Sequence, residues 1–335
     1  MILSRRIVLT AIAATTALAA AALALAPTQA MAQGYPDHAI KLVVPFAAGG
    51  NADINGRIVA DIVYKALGQP VVVENIAGAG GGTGAERVAR AAPDGYTLLI
   101  GSNGPLTVNP FVNAKITYDS LKDFAPVALV SYVPHVLIVT NKLEVKSVAD
   151  LLALAKKRPL NIATSGVGSA THMTLERFKQ ATGADITHVP YKSGGSLLPD
   201  VINGSVDGAM TELSTAVEQH KGGKAFIIGV AGTGRSALGP DIPTFHEQGV
   251  KGFVARSFIG ALAPAGTPAE VLGKLQKAIA EGLAPGKEMA LKLVATGSEL
   301  ASAEQMTPAG FAEFIKGDYE DMRTAAQRAG LGKSK

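Results

Sequence analysis

Short apolar, β-branched runs alternate with amphipathic runs along most of this chain. The first unit is a predicted buried strand at residues 40–44, followed by a glycine turn and an amphipathic run at 54–67 that predicts a helix. Asn51 or Asp53 is expected to cap this helix by accepting a backbone N–H. The free N–H groups of such a turn and helix N-terminus suit a carboxylate without any cationic side chain. An ordinary connecting turn is the alternative for this stretch taken alone.

The chain repeats the arrangement in its second half. A predicted strand at 161–164 leads through a turn at 165–172 into a predicted helix at 173–182. Ser165, Ser169 and Thr171 add hydroxyl donors to the backbone donors of that turn. Two such turns, one in each half of the chain, predict an anion held from both sides.

Polar side chains also follow two other predicted strands. Ser102, Asn103 and Thr107 come after the strand at 96–100, and Thr211 and Glu212 end or follow the strand at 206–210. Ligands of open parallel sheets bind outside the carboxyl ends of strands, so these residues are candidates for a cleft. A plain polar turn is the alternative for the first group, and a surface or helix-capping role is the alternative for Glu212.

Two segments predict crossings between domains. Residues 123–140 contain two strand-like runs joined by a polar kink at 131–135, and residues 253–262 can cross back. Together with the alternation of strands and helices, these crossings predict an α/β protein of two lobes with a hinge.

Composition narrows the function classes. The chain has 335 residues, 47% of them hydrophobic, and a formal net charge of +4. Arg5 and Arg6 are the charged residues of the first 32, so the remainder is nearly neutral and has no basic cluster interleaved with aromatics. We therefore expect no nucleic-acid partner. With no cysteine in the sequence, thiolate chemistry, cysteine-based zinc sites and disulfides are excluded.

The N-terminus reads as an export signal. Arg5-Arg6 precedes an apolar run at 7–26 and a small-residue site at Ala30-Met31-Ala32, which is the order of a signal peptide. Residues 4–9 resemble a twin-arginine signal, but Val8 and Thr10 depart from the usual pattern, so the general secretory route stays open. We expect residues 1–32 to be removed and the mature protein to be soluble in the periplasm.

No cofactor, metal or catalytic motif is convincing. The glycines at 78–84 nearly match a dinucleotide fingerprint, but the next strand ends without the required acid, which favours helix–sheet packing or the edge of a cleft. The six histidines lack metal-ligand spacing, and no G-x-S-x-G elbow occurs. An exported hydrolase that uses Ser102 or Ser169 with a distant histidine is the alternative. We expect a binding protein, not an enzyme, with no cofactor and no metal.

Residues 41–53 resemble the V-P-(F/Y)-x-x-G-G-x-x-D signature of the tripartite tricarboxylate transporter receptors, also called Bug or TctC-like proteins. The likeness continues in order along the chain after the leader, at residues 68–75, 78–81, 92–99, 123–127, 188–192, 240–244 and 262–268.

The resemblance implies a type II periplasmic binding protein fold, with two Rossmann-like lobes that close on a small carboxylate in a central cleft. Lobe 1 is expected at 34–133 plus 257–335, and lobe 2 at 134–256. In that family the turns matching 47–53 and 165–172 pinch one carboxylate of the ligand, partly through ordered water. The distal end of the ligand meets the loops that match 102–107 and 211–213.

The predicted ligand-binding residues combine both lines of argument. They are Phe46, Ala48, Gly49, Gly50, Asn51, Asp53, Ser102, Asn103, Thr107, Ser165, Gly166, Gly168, Ser169, Thr171, His172, Tyr191, Thr211 and Glu212. The chain departs from the commonest family pattern at Asn51, at Leu106 and at Thr211-Glu212, so the usual ligands are not assured.

Glu212 bears on the ligand class. A cleft carboxylate repels a second ligand carboxylate unless it is protonated or faces away, so Glu212 favours an amine or a hydroxyl at the distal end. The family resemblance further implies a partner permease with one large and one small subunit, with sensing as the alternative role. We expect the receptor itself to be a monomer.

Overall fold

The computed structural model describes residues 34–328, and the predicted leader lies outside the described residues. From His38 onward the chain forms one compact unit, to which the following description refers. No helix in residues 34–328 is long and apolar enough to cross a bilayer.

The described residues contain ten strands in one curled sheet. These are β1 (Ile40–Val44), β2 (Val71–Asn75), β3 (Thr97–Ser102), β4 (Phe124–Thr140), β5 (Leu160–Thr164), β6 (Ile186–Pro190), β7 (Gly208–Glu212), β8 (Ala225–Val230), β9 (Arg256–Pro264) and β10 (Glu299–Leu300). The strand order is β2-β1-β3-β9-β4-β7-β5-β6, and β8 and β10 also pair with β4.

The same strand order occurs twice. In the first strand group, β2, β1 and β3 are parallel and are followed by antiparallel β9; in the second strand group, β6, β5 and β7 are parallel and are followed by antiparallel β4. The first half of β4 pairs with β9, from Phe124 to Pro134, and the second half pairs with β7 from His135 onward. One strand of 17 residues therefore serves both groups.

Helices cover the sheet on both faces. They are α1 (Asn51–Leu67), α2 (Gly82–Ala89), α3 (Asn109–Val112), α4 (Val148–Ala155), α5 (Ala170–Thr182), α6 (Gly194–Asn203), α7 (Leu213–Lys221), α8 (Ala269–Gly282), α9 (Glu288–Ala295) and α10 (Pro308–Arg328). A 3₁₀ turn (Ala79–Gly81) precedes α2, and a π-helical turn (Gly104–Val108) precedes α3.

The second strand group shows how the core is built. Alternate residues of β4 enter opposite layers: Leu137 packs with α4 and α5 on one face, and Val136 packs with α6 and α7 on the other. Phe178 of α5 is fully buried in the first of these layers. Burial of one such side chain contributes roughly 1.5–3 kcal/mol. Since helices cover both faces of the sheet, the polar residues at the carboxyl ends of the strands meet at one edge of the sheet.

Three predicted elements are wrong in detail. The kink at 131–135 does not divide β4, because the strand is continuous and its irregularities are register shifts near Leu129 and Leu137. The sequence also predicts a helical tail from residue 267 with a strand-like break at 291–300, but this stretch is mostly helix α9, whose Leu293 faces inward while Leu291 is exposed. Helix α1 begins at Asn51, three residues before the predicted run, with extended Gly50 as its N-cap residue and no side-chain cap.

Candidate ligand site

The N-termini of α1, α5, α6 and α7 meet the carboxyl ends of β3 and β7 around a cavity of about 20 Å³, here called the central cavity. It is lined by Phe46, Gly50, Asn51, Ala52, Ser102, Ser165, Ser169, Ala170, Ser193, Gly194, Glu212, Ser257 and Ile259. Each helix N-terminus carries a partial positive charge and N–H groups without intrahelical acceptors. The cavity therefore favours an anion, although none of its lining residues among those described is a lysine or an arginine.

Asp53 shapes the first glycine turn, residues 47–53, without lining the cavity. Its carboxylate accepts hydrogen bonds from the Gly49 N–H (3.0 Å), Asn75 Nδ2 (3.0 Å) and Arg57 Nε (3.0 Å). Burial acts to raise the pKa of Asp53, but the bonds from Arg57, Gly49 and Asn75 outweigh it and hold the pKa below its ordinary value. Asp53 therefore does not cap the helix as expected. It accepts the N–H of Gly49, which lies before the helix, and so holds the turn in shape.

Asp53→Asn is expected to lower the free energy of unfolding at pH 7 by roughly 2 kcal/mol, because three bonds to a charged group are weakened. The folded-state pKa of Asp53 is lowered, so its stabilisation is present above the unfolded value of 3.8 and is lost as pH falls through the folded pKa. Urea unfolding at pH 7 and pH 3 checks this. Asp61→Asn, on the same helix in a half-exposed ion pair, is the control and should change stability by less than about 0.5 kcal/mol. A difference for Asp53→Asn that is no smaller at pH 3 than at pH 7 contradicts the charged role.

The second glycine turn, residues 165–172, consumes most of its own backbone donors. The Ser165 N–H donates to Thr171 Oγ1 (3.1 Å), and the Gly168 N–H donates to His172 Nδ1 (3.3 Å). Ser169 caps α5 by accepting the His172 N–H (3.1 Å). Thr171 and His172 thus hold the turn in shape, and among the first-turn N–H groups of α5 those of Ala170 and Thr171 are left for a ligand, since His172 and Met173 donate to Ser169.

Two side chains offer donors to the central cavity. Ser165 Oγ is buried and has no hydrogen-bond partner in the described part of the chain. Asn51 Oδ1 accepts from Asn55 Nδ2 (2.9 Å) and from Ser214 Oγ (3.0 Å), which leaves the NH₂ of Asn51 to donate. A buried hydroxyl and a fixed amide suit an acceptor such as a carboxylate oxygen.

The residues on the two sides of the cavity touch directly. A Cβ placed on Gly50 would lie 3.3 Å from the backbone nitrogen of Gly194, and one on Gly80 would lie 2.5 Å from the carbonyl oxygen of Val167. The glycines at 78–81 thus form an edge of the site. A cavity of about 20 Å³ holds about one water molecule, far less than the several hundred cubic ångströms of usual ligand pockets. This is a closed arrangement.

Glu212 is the one ionisable side chain among the described residues that line the central cavity. Ser257 Oγ donates to its Oε1 (3.3 Å), and Thr211 Oγ1 donates to its Oε2 (3.3 Å). Burial raises the pKa of Glu212 despite its own backbone N–H and these two hydroxyls, whose hydrogen bonds act in the opposite direction. From the sequence, Glu212 repels a second ligand carboxylate unless it is protonated or faces away. Its carboxyl group faces the cavity, so protonation is the relevant exception.

Seven of the 18 predicted residues line the central cavity. They are Phe46, Gly50, Asn51, Ser102, Ser165, Ser169 and Glu212. The others lie behind or beside it: Ala48, Gly49, Asp53, Asn103, Thr107, Gly166, Gly168, Thr171, His172, Tyr191 and Thr211.

Several of these outlying residues have other partners. Asn103 and Thr107 donate to Asp318 of α10 (3.0 and 2.5 Å). Tyr191 donates to Asp200 (2.5 Å). They support the surrounding helices and loops.

Six lining residues were not predicted: Ala52, Ala170, Ser193, Gly194, Ser257 and Ile259. The run Ser193-Gly194-Gly195-Ser196 is a third glycine turn at a helix N-terminus, so its pattern could have revealed two of them. Ser257 and Ile259 lie on β9 and carry no motif.

A larger groove of about 410 Å³ lies between α5 and α10 and shares one residue, Ala170, with the central cavity. It contains Asn103, and Ala170 is the one residue of the two glycine turns that lines it. The convergence of helix N-termini, not size, therefore identifies the central cavity as the candidate site.

The geometry gives the hydrolase alternative no support. Within residues 34–328, neither Ser102 nor Ser169 makes a hydrogen bond to a histidine ring, whereas Ser257 Oγ lies 2.8 Å from His135 Nε2. The other nitrogen of His135 lies 2.8 Å from Thr174 Oγ1 instead of a carboxylate. The described residues also contain no group of three or more histidines and carboxylates placed to hold a metal ion.

Residues 56–307 match the family described as the tripartite tricarboxylate transporter family receptor, TctC. This chain belongs to that family. The protein BugT of Bordetella pertussis is 37% identical over 255 residues, which cover 75% of this chain and 78% of BugT.

Two solved structures extend the comparison. A Rhodopseudomonas palustris protein solved with adipate is 32% identical, with a TM-score of 0.85, 90% of this chain covered and 100% of the other. MatC from Rhodopseudomonas palustris with bound malate is 31% identical, with a TM-score of 0.82, 87% of this chain covered and 99% of the other. The resemblance seen in the sequence is confirmed, and the TctC fold is that of a periplasmic binding protein.

Proposed function

We propose that this TctC family protein is an extracytoplasmic receptor that captures a small carboxylate by closing two lobes around it. The observation that carries the proposal is the convergence of four helix N-termini, two free side-chain donors and no cationic side chain on the central cavity. A carboxylate satisfies these donors with its two oxygens, and the helix dipoles supply the positive potential.

Closure is the proposed mechanism. Lobe 1 comprises residues 34–133 and 257–335, lobe 2 comprises residues 134–256, and β4 and β9 carry the chain between them. The contacts of the Gly50 turn with Gly194, and of Asn51 with Ser214, join residues of different proposed lobes. A ligand that bonds to both sides stabilises the closed state over an open one.

The ligand class follows from the site and from relatives. The named R. palustris proteins were solved with adipate and with malate, both carboxylates. In this chain the distal end of the ligand is proposed to meet Glu212, which takes an amine, a hydroxyl or, when protonated, a second carboxylate. The predicted site residues that surround the cavity are proposed to bind ligand or to hold the turns that do so.

The receptor is proposed to act in the periplasm as a monomer and to deliver its ligand to a permease with one large and one small subunit. The family description, a receptor of tripartite tricarboxylate transporters, supports this partner.

Thermal unfolding of the mature protein with a panel of acids tests the proposal. The panel contains malate, adipate, tricarboxylates, aromatic acids, hydroxy acids and amino acids. A ligand at 100 times its dissociation constant stabilises the folded state by about 2.7 kcal/mol, so its class is recognised by a raised unfolding temperature. If no carboxylate of any class stabilises the protein, whether as purified or after unfolding, dialysis and refolding, the proposal is wrong.

Matched serine variants test whether the ligand binds in the central cavity. Ser165→Ala is expected to weaken binding of the stabilising acid about tenfold, because one hydrogen bond to a charged group is lost. Ser120 is the control, since its hydroxyl is also buried without a partner but lies outside the cavity. Equal effects of Ser165→Ala and Ser120→Ala on binding would contradict the site.

A further inference from the structure

We propose that Glu212 takes up one proton when the central cavity closes on a carboxylate ligand. The inference deepens the proposed receptor function and rests on it. Its basis is the charge balance of the cavity, which brings a ligand carboxylate next to a protein carboxyl group without a cation.

The walls of the cavity supply no compensating charge. Glu212 is 9% exposed, and its partners are its own backbone N–H and the hydroxyls of Ser257 and Thr211, all neutral. Two carboxylates enclosed together in a small, poorly hydrated space do not both stay ionised, because each disfavours the charged form of the other. The ligand is bound by helix N-termini, so the proton goes to Glu212.

Charged groups on the neighbouring elements do not change this balance. Those groups are His135 on β4, Arg256 on β9, His172, Glu176, Arg177 and Lys179 on α5, Asp53, Arg57, Asp61 and Lys65 on α1, Asp200 on α6, and Glu218, His220 and Lys221 on α7. None of them shifts the pKa of Glu212, because burial and hydrogen bonds alone cause its shift. Arg256 stacks on the ring of Tyr132 at 3.9 Å, and Arg177 donates to the carbonyl of Val254.

His135 cannot serve as the missing cation. It is fully enclosed, and burial, with a smaller contribution from Arg177, lowers its pKa to about 3. Its ring lies in a buried chain that runs from Thr174 through His135 and Ser257 to Glu212, with separations of 2.8, 2.8 and 3.3 Å. The ring is neutral at the pH of the periplasm, so it makes hydrogen bonds without adding charge.

The chain of hydrogen bonds accommodates a protonated Glu212 without moving a heavy atom. Ser257 gives its one proton to Glu212 Oε1, so the bond between Ser257 and His135 requires a proton on His135 Nε2, and Thr174 then donates to Nδ1. A proton on Glu212 Oε2 is left to donate into the cavity. Ser257 and His135 are thus positioning residues that hold the carboxyl group in place as a donor.

Opening of the lobes returns Glu212 to its ionised form. Once Gly50 and Asn51 of lobe 1 withdraw from lobe 2, the Glu212 wall of the cavity meets water, where a glutamate is ionised at neutral pH. No first-turn N–H of α7 caps its side chain, so that helix does not fix the charged form in the closed state. Binding therefore takes up a proton, and ligand affinity falls as pH rises.

Isothermal titration calorimetry tests the inference. Malate and adipate are titrated first, then the acid that stabilises most in the panel, at pH 6 to 8.5 in buffers of different ionisation enthalpy. The buffer dependence of the heat is expected to give close to one proton taken up per ligand. Affinity should fall by up to about tenfold per pH unit above the pKa of Glu212 in the open state.

Glu212→Gln reproduces the shape of the protonated side chain. It is expected to abolish proton uptake and to bind more tightly than the wild type at pH 8.5, with a flat pH profile. Glu218→Gln, on the exposed face of α7, is the control and should keep the wild-type proton uptake. Ser257→Ala should weaken binding and shift the pH at which the proton is gained, a change that mere loss of packing does not cause.

The outcomes separate the two proposals. Binding of an acid without proton uptake, or with the same uptake in Glu212→Gln, would overturn the role of Glu212 and leave the receptor proposal standing. Failure of every carboxylate to bind would instead overturn the receptor proposal and, with it, this one.

Discussion

Gly50→Val is expected to abolish tight ligand binding while leaving the protein folded. Gly50 has φ −92° and ψ 174°, a conformation that valine adopts readily, so the backbone is not strained. A Cβ at this position would lie 3.3 Å from Gly194 N and 3.4 Å from Ser193 Cβ, so the two further methyl groups of valine would prevent the turns from meeting. We expect a loss of affinity of at least about 100-fold, or roughly 2.7 kcal/mol.

Calorimetry with the stabilising acid measures this loss, and urea unfolding without ligand measures stability, which should fall by about 1 kcal/mol through the poorer N-cap. Gly273→Val is the control, because a Cβ on Gly273 meets no atom within 4 Å. Neighbouring Gly49 is the weaker choice, since its Cβ would approach no closer than 3.9 Å to Gly195 Cα and its φ of 82° adds strain. Unchanged affinity in Gly50→Val would contradict closure between these turns.

The second prediction concerns a disulfide that holds the first and third glycine turns in the closed arrangement. The chain has no cysteine, so Gly50→Cys with Ser193→Cys creates a single defined pair. The two Cβ atoms are 3.4 Å apart in the closed arrangement, close to the 3.5–4.5 Å usual in disulfides. The oxidised protein is expected to bind no ligand, because a cavity of about 20 Å³ has no room for one.

Reduction with dithiothreitol should restore binding only in part, because the cysteine at position 50 still crowds Gly194 and the Ser193 cap on α6 is lost. The two single-cysteine variants, treated with the same oxidant, are the controls: each should bind equally in both states, with Gly50→Cys the weaker of the two. Ligand association at the wild-type rate in the oxidised double variant, with the disulfide verified by mass spectrometry, would contradict the closed assignment.

The sequence predicts strands best where the signal is local. β1 and β5 are β-branched or apolar runs bounded by turn residues, and their predicted positions agree with the structure. β4 was misjudged because Ser131 looked like a polar break. In the fold Ser131 is buried and donates to Asn55 Oδ1 (2.7 Å), a partner 76 residues away that no local pattern reveals.

The sequence likewise predicts the parts of the site whose signal is local and misses those that depend on distant residues. The glycine turns were found because strand, glycine and helix are adjacent in sequence, and the family they indicate is confirmed. Which N–H groups stay free could not be predicted, because it depends on where Thr171 and His172 fold back. Ser257 reaches Glu212 across 45 residues of sequence, and the charge balance around that carboxyl group exists only in three dimensions.

The pairing of β3 with β9 has a consequence for the order in which the chain is made. Residues Leu99–Ser102 have their antiparallel partners at Ile259–Leu262, so the open edge of β3 stays unpaired until about 160 more residues have been synthesised. At about 5–20 residues per second, the ribosome needs roughly 8–32 s to supply them. Throughout that interval the nascent chain carries an apolar, unpaired strand edge of the kind that templates pairing with other chains.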